Sequence, residues 1–273
     1  MQKNVFLTKY NRFLQIICNH ALILQHYYSC ISLYKTNRYR IMGIDYNKLV
    51  INLINDSKKI IPYDHQYYLH AYILSELKSI NIALSNELYN SKIPYFVMSQ
   101  LIPSGNAHFD KLGFYSGKLV LIINSSNSDL LNYIKKIFDE GQIISLKELN
   151  LRVQSSHIFK PELSTYLPEL SSRSPVIIKY NNRYVGYGDK DFEAILKLSI
   201  QNKVEKILQR PIKIDGLKIT YGKRKLSHIH DSPITSSIIK FVILSDFDVI
   251  KTILCCGVGK STQLGYGMVD IND

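Results

Sequence analysis

From residue 42 onward the apolar positions change period in a regular order. Residues 48–54 alternate apolar and polar positions, as a half-buried strand does. Pro62 marks a helix entry, and Leu69, Ile73, Leu77 and Ile80 then recur at helical spacing, which predicts a core face over residues 64–80. A shorter helical piece follows over residues 83–89. Residues 95–101 and 118–124 read as strands flanking a loop with Pro103, Gly105 and Gly113. Ser125 and Ser128 are candidate caps for a helix that runs to Phe138 and stops before Gly141. Residues 145–153 supply a fourth strand. This is a βαββαβ plan, the layout of ferredoxin-like domains.

The same order returns in the second half. Residues 175–180 form a strand, and a helix over 191–208 places Phe192, Ile195, Leu196, Ser199, Val204 and Leu208 near one face. Two long strands, 212–224 and 236–244, are joined by a bend containing His228, His230 and Pro233. A helix from Asp246 and a terminal strand complete the plan. The pattern predicts an α+β chain with a basic extension over residues 1–41 and domains over 42–154 and 155–273.

Charge adds a partner to this outline. The chain has 273 residues, a formal net charge of +12, twenty tyrosines and ten phenylalanines. A basic balance points to a polyanion, and exposed aromatic rings suit base stacking, although most such rings fill cores. Residues 1–41 hold six Lys or Arg (Lys3, Lys9, Arg12, Lys35, Arg38, Arg40) and no acid, which is half of the net charge. Three readings of this segment are open: a secretory signal, poorly supported because Gln15, Asn19, His20, Gln25 and His26 interrupt its apolar run, a basic RNA-binding arm, or translation beginning at Met42. The third is favoured. The four cysteines include adjacent Cys255 and Cys256 but no metal-binding spacing, so no cofactor is expected and a reduced, cytoplasmic chain is. No apolar run reaches membrane-spanning length.

The most specific motif lies at the C-terminal end: Gly257-Val258-Gly259-Lys260-Ser261-Thr262, then Gly265-Tyr266-Gly267-Met268-Val269. Two Gly-x-Gly pairs bracket one Lys and two hydroxyls, a composition that suits backbone amides and side chains to phosphate oxygens. It imitates the end of a nucleotide-binding P-loop, but the glycine such a loop requires is Leu254, and a helix rather than a strand precedes it. ATP binding is therefore not expected.

This loop resembles the terminal glycine-rich loop of the CRISPR-associated repeat-RNA endoribonucleases, the Cas6 family of the RAMP superfamily. Pro62-Tyr63-Asp64-His65-Gln66-Tyr67-Tyr68-Leu69 is similar to that family's first-helix entry, and Ser174-Pro175-Val176 is a weaker match. The resemblance covers residues 42–273 and implies two tandem ferredoxin-like domains, RRM-like in layout. It also implies metal-independent cleavage of precursor CRISPR RNA, in which a ribose 2′-hydroxyl attacks the next phosphate and leaves a 2′,3′-cyclic phosphate and a 5′-hydroxyl. Many members supply a His after the first helix, a Tyr within it and a Lys beyond. Here those positions fall at Tyr89, near Leu74, and at Lys92. The candidate catalytic residues are Tyr89, Lys92 and His70, the last being the nearest substitute imidazole. His65 is read as a hydrogen-bonding group at the helix start.

Candidate RNA-binding residues are Gly257, Gly259, Lys260, Ser261, Thr262, Gly265 and Gly267, with Arg173, Lys223 and Arg224 among the basic residues of the second half. Lys179, Lys218 and Lys225 belong to the same basic set, for which a plain solvated face is the competing reading. His228 and His230 are candidate RNA contacts. Three functions follow: a repeat-RNA endoribonuclease, a non-catalytic repeat-RNA-binding protein, or a structural subunit of a CRISPR effector complex. The expected partners are CRISPR repeat RNA, effector subunits or a second copy in a homodimer, and no membrane.

Overall fold

The computed structural model describes residues 44–91, 94–229 and 232–271. The extension over 1–41 and its three readings lie outside the described residues, as do Lys92 and His230. β1 (Asn47–Asn55) is the centre of the first domain. Every second residue of it is buried, so Leu49, Ile51 and Leu53 enter the core. β1 pairs antiparallel with β7 (Lys118–Ser125) on one side and β9 (Leu149–Phe159) on the other. β3 (Phe96–Met98) extends the sheet beyond β7, and β8 (Ile143–Leu146) extends it beyond β9. Short strands β2 (Ile61–Pro62), β5 (Ala107–Phe109) and β6 (Gly113–Ser116) form a separate small sheet, and β4 (Ile102–Pro103) flanks β7.

Helix α1 (Gln66–Ile80) lays Leu69, Ile73 and Leu77 on the sheet, each with no exposed surface. The expected stripe overreaches by one residue, because Ile80 ends the helix and is 42% exposed. α2 (Ile82–Asn90) is capped by Asn81, whose side chain accepts from the Leu84 amide. α3 (Ser128–Ile137) is capped by Asn127, which accepts from the Leu130 amide at 3.0 Å. Neither Ser125 nor Ser128 serves that role. Ser125 instead receives the Asn127 amide and donates to Tyr95 O.

The second domain repeats the order with a different first strand. β10 (Glu169–Ser172) pairs with β14 (Ser232–Ser245) and β15 (Val269–Ile271), and β13 (Ile214–Ile229) pairs with β14 at the edge. The stretch expected as that first strand divides in two. Val176 and Ile177 make single bridges, and Ile178–Tyr180 forms β11 in a hairpin with β12 (Arg183–Val185). Helices α4 (Phe192–Leu208) and α5 (Phe247–Cys256) cover the sheet, α4 through Phe192, Leu196, Ile200 and Val204. β9 runs without a break across the expected domain boundary to Phe159. No helix among the described residues is long and apolar enough to cross a membrane.

The two domains join through buried polar contacts. Lys48 of β1 lies 2.6 Å from Asp270 of β15, and Tyr46 donates to the same carboxylate at 3.0 Å. Burial and that charge push the Tyr46 phenol pKa strongly upward, so the hydroxyl stays a donor.

Candidate functional site

The segment before α1 is a junction. The His65 ring is 2% exposed; it donates from Nδ1 to Pro62 O at 2.6 Å and accepts the Leu101 amide at Nε2 at 2.8 Å. That tautomer is neutral, and burial pulls its pKa down to about 4. His65 therefore fixes the helix entry to the β3–β4 connection. Beside it, Asp64 accepts from the His228 amide at 3.3 Å and meets His228 Nδ1 at 3.0 Å. Tyr266 of the glycine-rich loop donates to His228 O. The β13–β14 hairpin, the loop and the α1 entry are thus held together.

The four loop glycines have positive φ, from 66° to 83°. Several amides of the loop turn inward. Val258 N donates to Gly267 O, Lys260 N to Ile177 O, Gly265 N to Thr262 O and Gly267 N to Pro175 O, while Gly257 N closes α5 on Ile253 O. Met268 N donates to Ser174 Oγ. Three of the four glycine amides, those of Gly257, Gly265 and Gly267, are thus spent within the protein. The glycines are needed because backbone passes backbone: a Cβ on Gly259 would lie 2.2 Å from Ile177 O, and one on Gly267 2.0 Å from Val258 O.

The loop's side chains divide between interior and surface. Thr262 is buried and accepts from Lys203 at 2.9 Å, whereas Lys260 is exposed and Ser261 half-exposed. Lys203, a residue of α4 that the sequence reading did not single out, also donates to Cys256 O at 2.7 Å and Gly259 O at 3.4 Å. All three ammonium protons are committed, one of them to the Cys256 carbonyl at the end of α5, where a cation is favourable. Burial, with Lys260 adding repulsion, lowers the Lys203 pKa to about 7. Arg173 donates its amide to Met268 O and accepts from Gln100 N, so it sits in the domain joint. Lys223 and Arg224 lie on β13, away from both cavities that flank the loop, and Arg224 is paired with Asp189.

One of these cavities, of about 310 Å³, opens where α1, the end of α2 and the glycine-rich turn meet. Its α1 wall is Tyr67, His70, Ala71 and Leu74, the helical stripe that flanks the core face. Tyr89 closes one side and is 79% exposed; Gln263 and Leu264 of the turn close another. Two of the three candidate catalytic residues, His70 and Tyr89, therefore share one cavity. Gln263 donates to Ser91 O at 2.7 Å, tying the turn to the residue just before Lys92. The His70 ring stacks on Phe96 with centroids 5.9 Å apart, and burial lowers its pKa to about 4. Tyr95, also in the wall, donates to Glu87 at 2.6 Å, which raises its pKa. Tyr67 and Tyr95 were missed in the sequence, although Tyr67 stands three residues before His70 on the same helix face.

Two α+β domains and a glycine-rich closing turn make up the described residues. Residues 164–271 match the family described as CRISPR associated protein Cas6, C-terminal. The chain is similar to CRISPR-associated endoribonuclease Cas6 1 of Methanocaldococcus jannaschii, 23% identical over 81% of this chain and 91% of that protein. It is also similar to CRISPR-associated endoribonuclease Cas6 of Pyrococcus furiosus, 26% identical over 82% and 89%. Among solved structures, a CRISPR associated protein Cas6 superposes with a TM-score of 0.70 at 23% identity, covering 84% of this chain and all of that one. A RAMP protein described as binding different RNA substrates gives 0.73 at 19% identity over 83% of this chain and all of that one. The similarity to the Cas6 C-terminal family lies in residues 164–271, and the fold is the tandem ferredoxin-like fold of the Cas6 structure.

Proposed function

We propose that this chain is a CRISPR repeat-RNA endoribonuclease that cleaves in the cavity between α1, α2 and the glycine-rich turn. The observation that carries the reading is the convergence of His70 and Tyr89 of one domain with Gln263 of the other. Cleavage by an internal 2′-hydroxyl needs a proton acceptor, a proton donor for the leaving 5′-oxygen and a cation for the charged phosphorane. His70, held neutral by burial, is assigned the acceptor role. Tyr89, whose hydroxyl is free to move at the cavity mouth, is assigned the donor role, and Lys92 the cation. Gln263 is placed to orient the phosphate.

The test incubates the protein with its host's repeat RNA in EDTA. Cleavage should persist, give a cyclic phosphate, and stop when the nucleotide before the cut carries a 2′-deoxyribose. A second reading is favoured by one observation: an imidazole stacked on Phe96 with its pKa near 4 is a weak base. Tight binding of repeat RNA without cleavage after long incubation selects that binding-only protein.

A further inference from the structure

A second cavity, of about 470 Å³, lies on the other side of Gln263, between α4 and the glycine-rich turn. Gln263 lines both cavities, so they adjoin across one side chain. The α4 wall sets Ser199, Asn202, Lys203 and Lys206 among apolar Ile195, Leu198 and Ile207, beside the face the helix buries. Lys260 faces it from the turn, anchored through its amide to Ile177 O, and Lys179 comes from β11, two residues beyond that bridge. Four lysines line the cavity and no acid does.

The acids of α4 are engaged elsewhere, Glu193 with Lys218 and the Ile219 amide, Glu205 with Gln201 and the Ile212 amide. Among the described residues, Lys179, Lys206 and Lys260 form no salt bridge. Lys203 has no proton to spare and acts as a strut under the turn. Three uncompensated ammonium groups around one cleft attract a polyanion. Tyr180 at the rim is 41% exposed and offers a ring face to an unpaired base.

We infer that this lysine-lined cleft seats the sugar-phosphate backbone of single-stranded RNA continuing across Gln263 from the cleavage cavity, with Lys206 and Lys260 on the phosphates and Tyr180 against a base. The inference rests on the repeat-RNA reading above. The test measures repeat-RNA affinity against salt for wild type, Lys206→Gln, Lys260→Gln and the double variant, with Lys136→Gln on α3 as a charge-matched control. Each lost contact should lower the slope of log K on log salt by about 0.7, and the double variant by about 1.4. The control should leave the slope unchanged. These lysines are exposed, so thermal midpoints should match wild type. Shortening the RNA stepwise should reach a length at which the variants no longer differ from wild type, and Tyr180→Ala should abolish ultraviolet cross-linking to the nucleotides removed. Wild-type slopes in the double variant, on RNA that wild type binds, overturn the cleft alone. So does binding of inorganic phosphate in the cleft with RNA affinity indifferent to both lysines. Wild type that binds no repeat RNA overturns the parent reading and this one with it.

Discussion

The two sides of Gln263 differ in charge. On the α1 side the wall is rings, aliphatic groups and the Gln263 amide around a desolvated imidazole, His70. On the α4 side Ile195, Leu198 and Ile207 are interspersed with four lysines and small polar residues, and there is no acid. A neutral lining suits proton transfer at an RNA hydroxyl, because His70 stays unprotonated at any pH well above 4. A cationic lining suits holding a strand, because ammonium–phosphate attraction carries affinity and little sequence information. One turn separates the two, so under the proposed function its rigidity would set the register between held strand and reacting bond.

The strongest break of this comparison is loss of the turn itself. Gly259→Val puts a Cβ 2.2 Å from Ile177 O at a φ of +76°, a backbone clash with no flexible side chain to yield. Destabilisation of about 3–5 kcal/mol is expected, read as the shift in urea midpoint, with RNA binding and cleavage lost together. His70→Ala separates the two sides instead. Cleavage should fall by ~10²–10⁴-fold while repeat-RNA affinity stays within a few-fold of wild type. Equal loss of affinity and cleavage would assign His70 to the binding surface.

Legibility followed the range of the interactions. The core face Leu69–Ile73–Leu77 was readable because helical spacing is local, and so was the βαββαβ order. Ile80 failed because burial also depends on where the helix ends over the sheet. The cap of α3 went to Asn127 because backbone geometry places that residue first, and neighbouring serines look alike in sequence. Residues 169–172 were missed as a strand because four residues carry almost no period, and pairing with β14 and β15 supplies what propensity does not. In the turn, the glycines were visible but their purpose was not. The acceptors that claim the amides, Pro175 O and Ile177 O, lie some eighty or ninety residues earlier in the chain. Lys203 was hidden for the same reason, since its partners Cys256, Gly259 and Thr262 are more than fifty residues away.

Acid should weaken both sides together. His65 and His70 have folded pKa values near 4, below the ordinary histidine value of about 6.5. The unfolded chain therefore binds protons that the folded chain refuses, and stability present above pH 6.5 is lost as pH falls towards 4. His65, almost fully buried, should account for about 2–3 kcal/mol of that loss. Urea unfolding at pH 7.5, 6 and 4.5 reads it. In His70→Phe the part of the slope due to His70 should vanish, because the ring packs on Phe96 in either case but no longer titrates. An unchanged slope would mean that the His70 ring is solvated in solution.

The smallest effect tests how stiffly the lysine side holds the turn. Lys203→Met keeps the stem's packing and removes the desolvation cost of the ammonium, but leaves Cys256 O, Gly259 O and Thr262 Oγ1 without their donor. These effects oppose each other, so a net loss of only about 1 kcal/mol is expected at pH 7. The clearer signature is in alkali. Folded Lys203 titrates near 7 and an unfolded lysine near 10.4, so the unfolded chain binds the extra proton between them and wild type should gain about 1–2 kcal/mol from pH 7 to pH 8.5. Lys260 works in the same direction by repulsion, and Cys256, whose own pKa is raised to about 11, stays protonated in the folded chain across this window. In Lys203→Met the gain should disappear, while cleavage and affinity fall modestly and in parallel because the turn that registers them has loosened. A variant that keeps the alkaline gain would assign it to another group. One that loses affinity alone would make Lys203 a phosphate ligand rather than a strut.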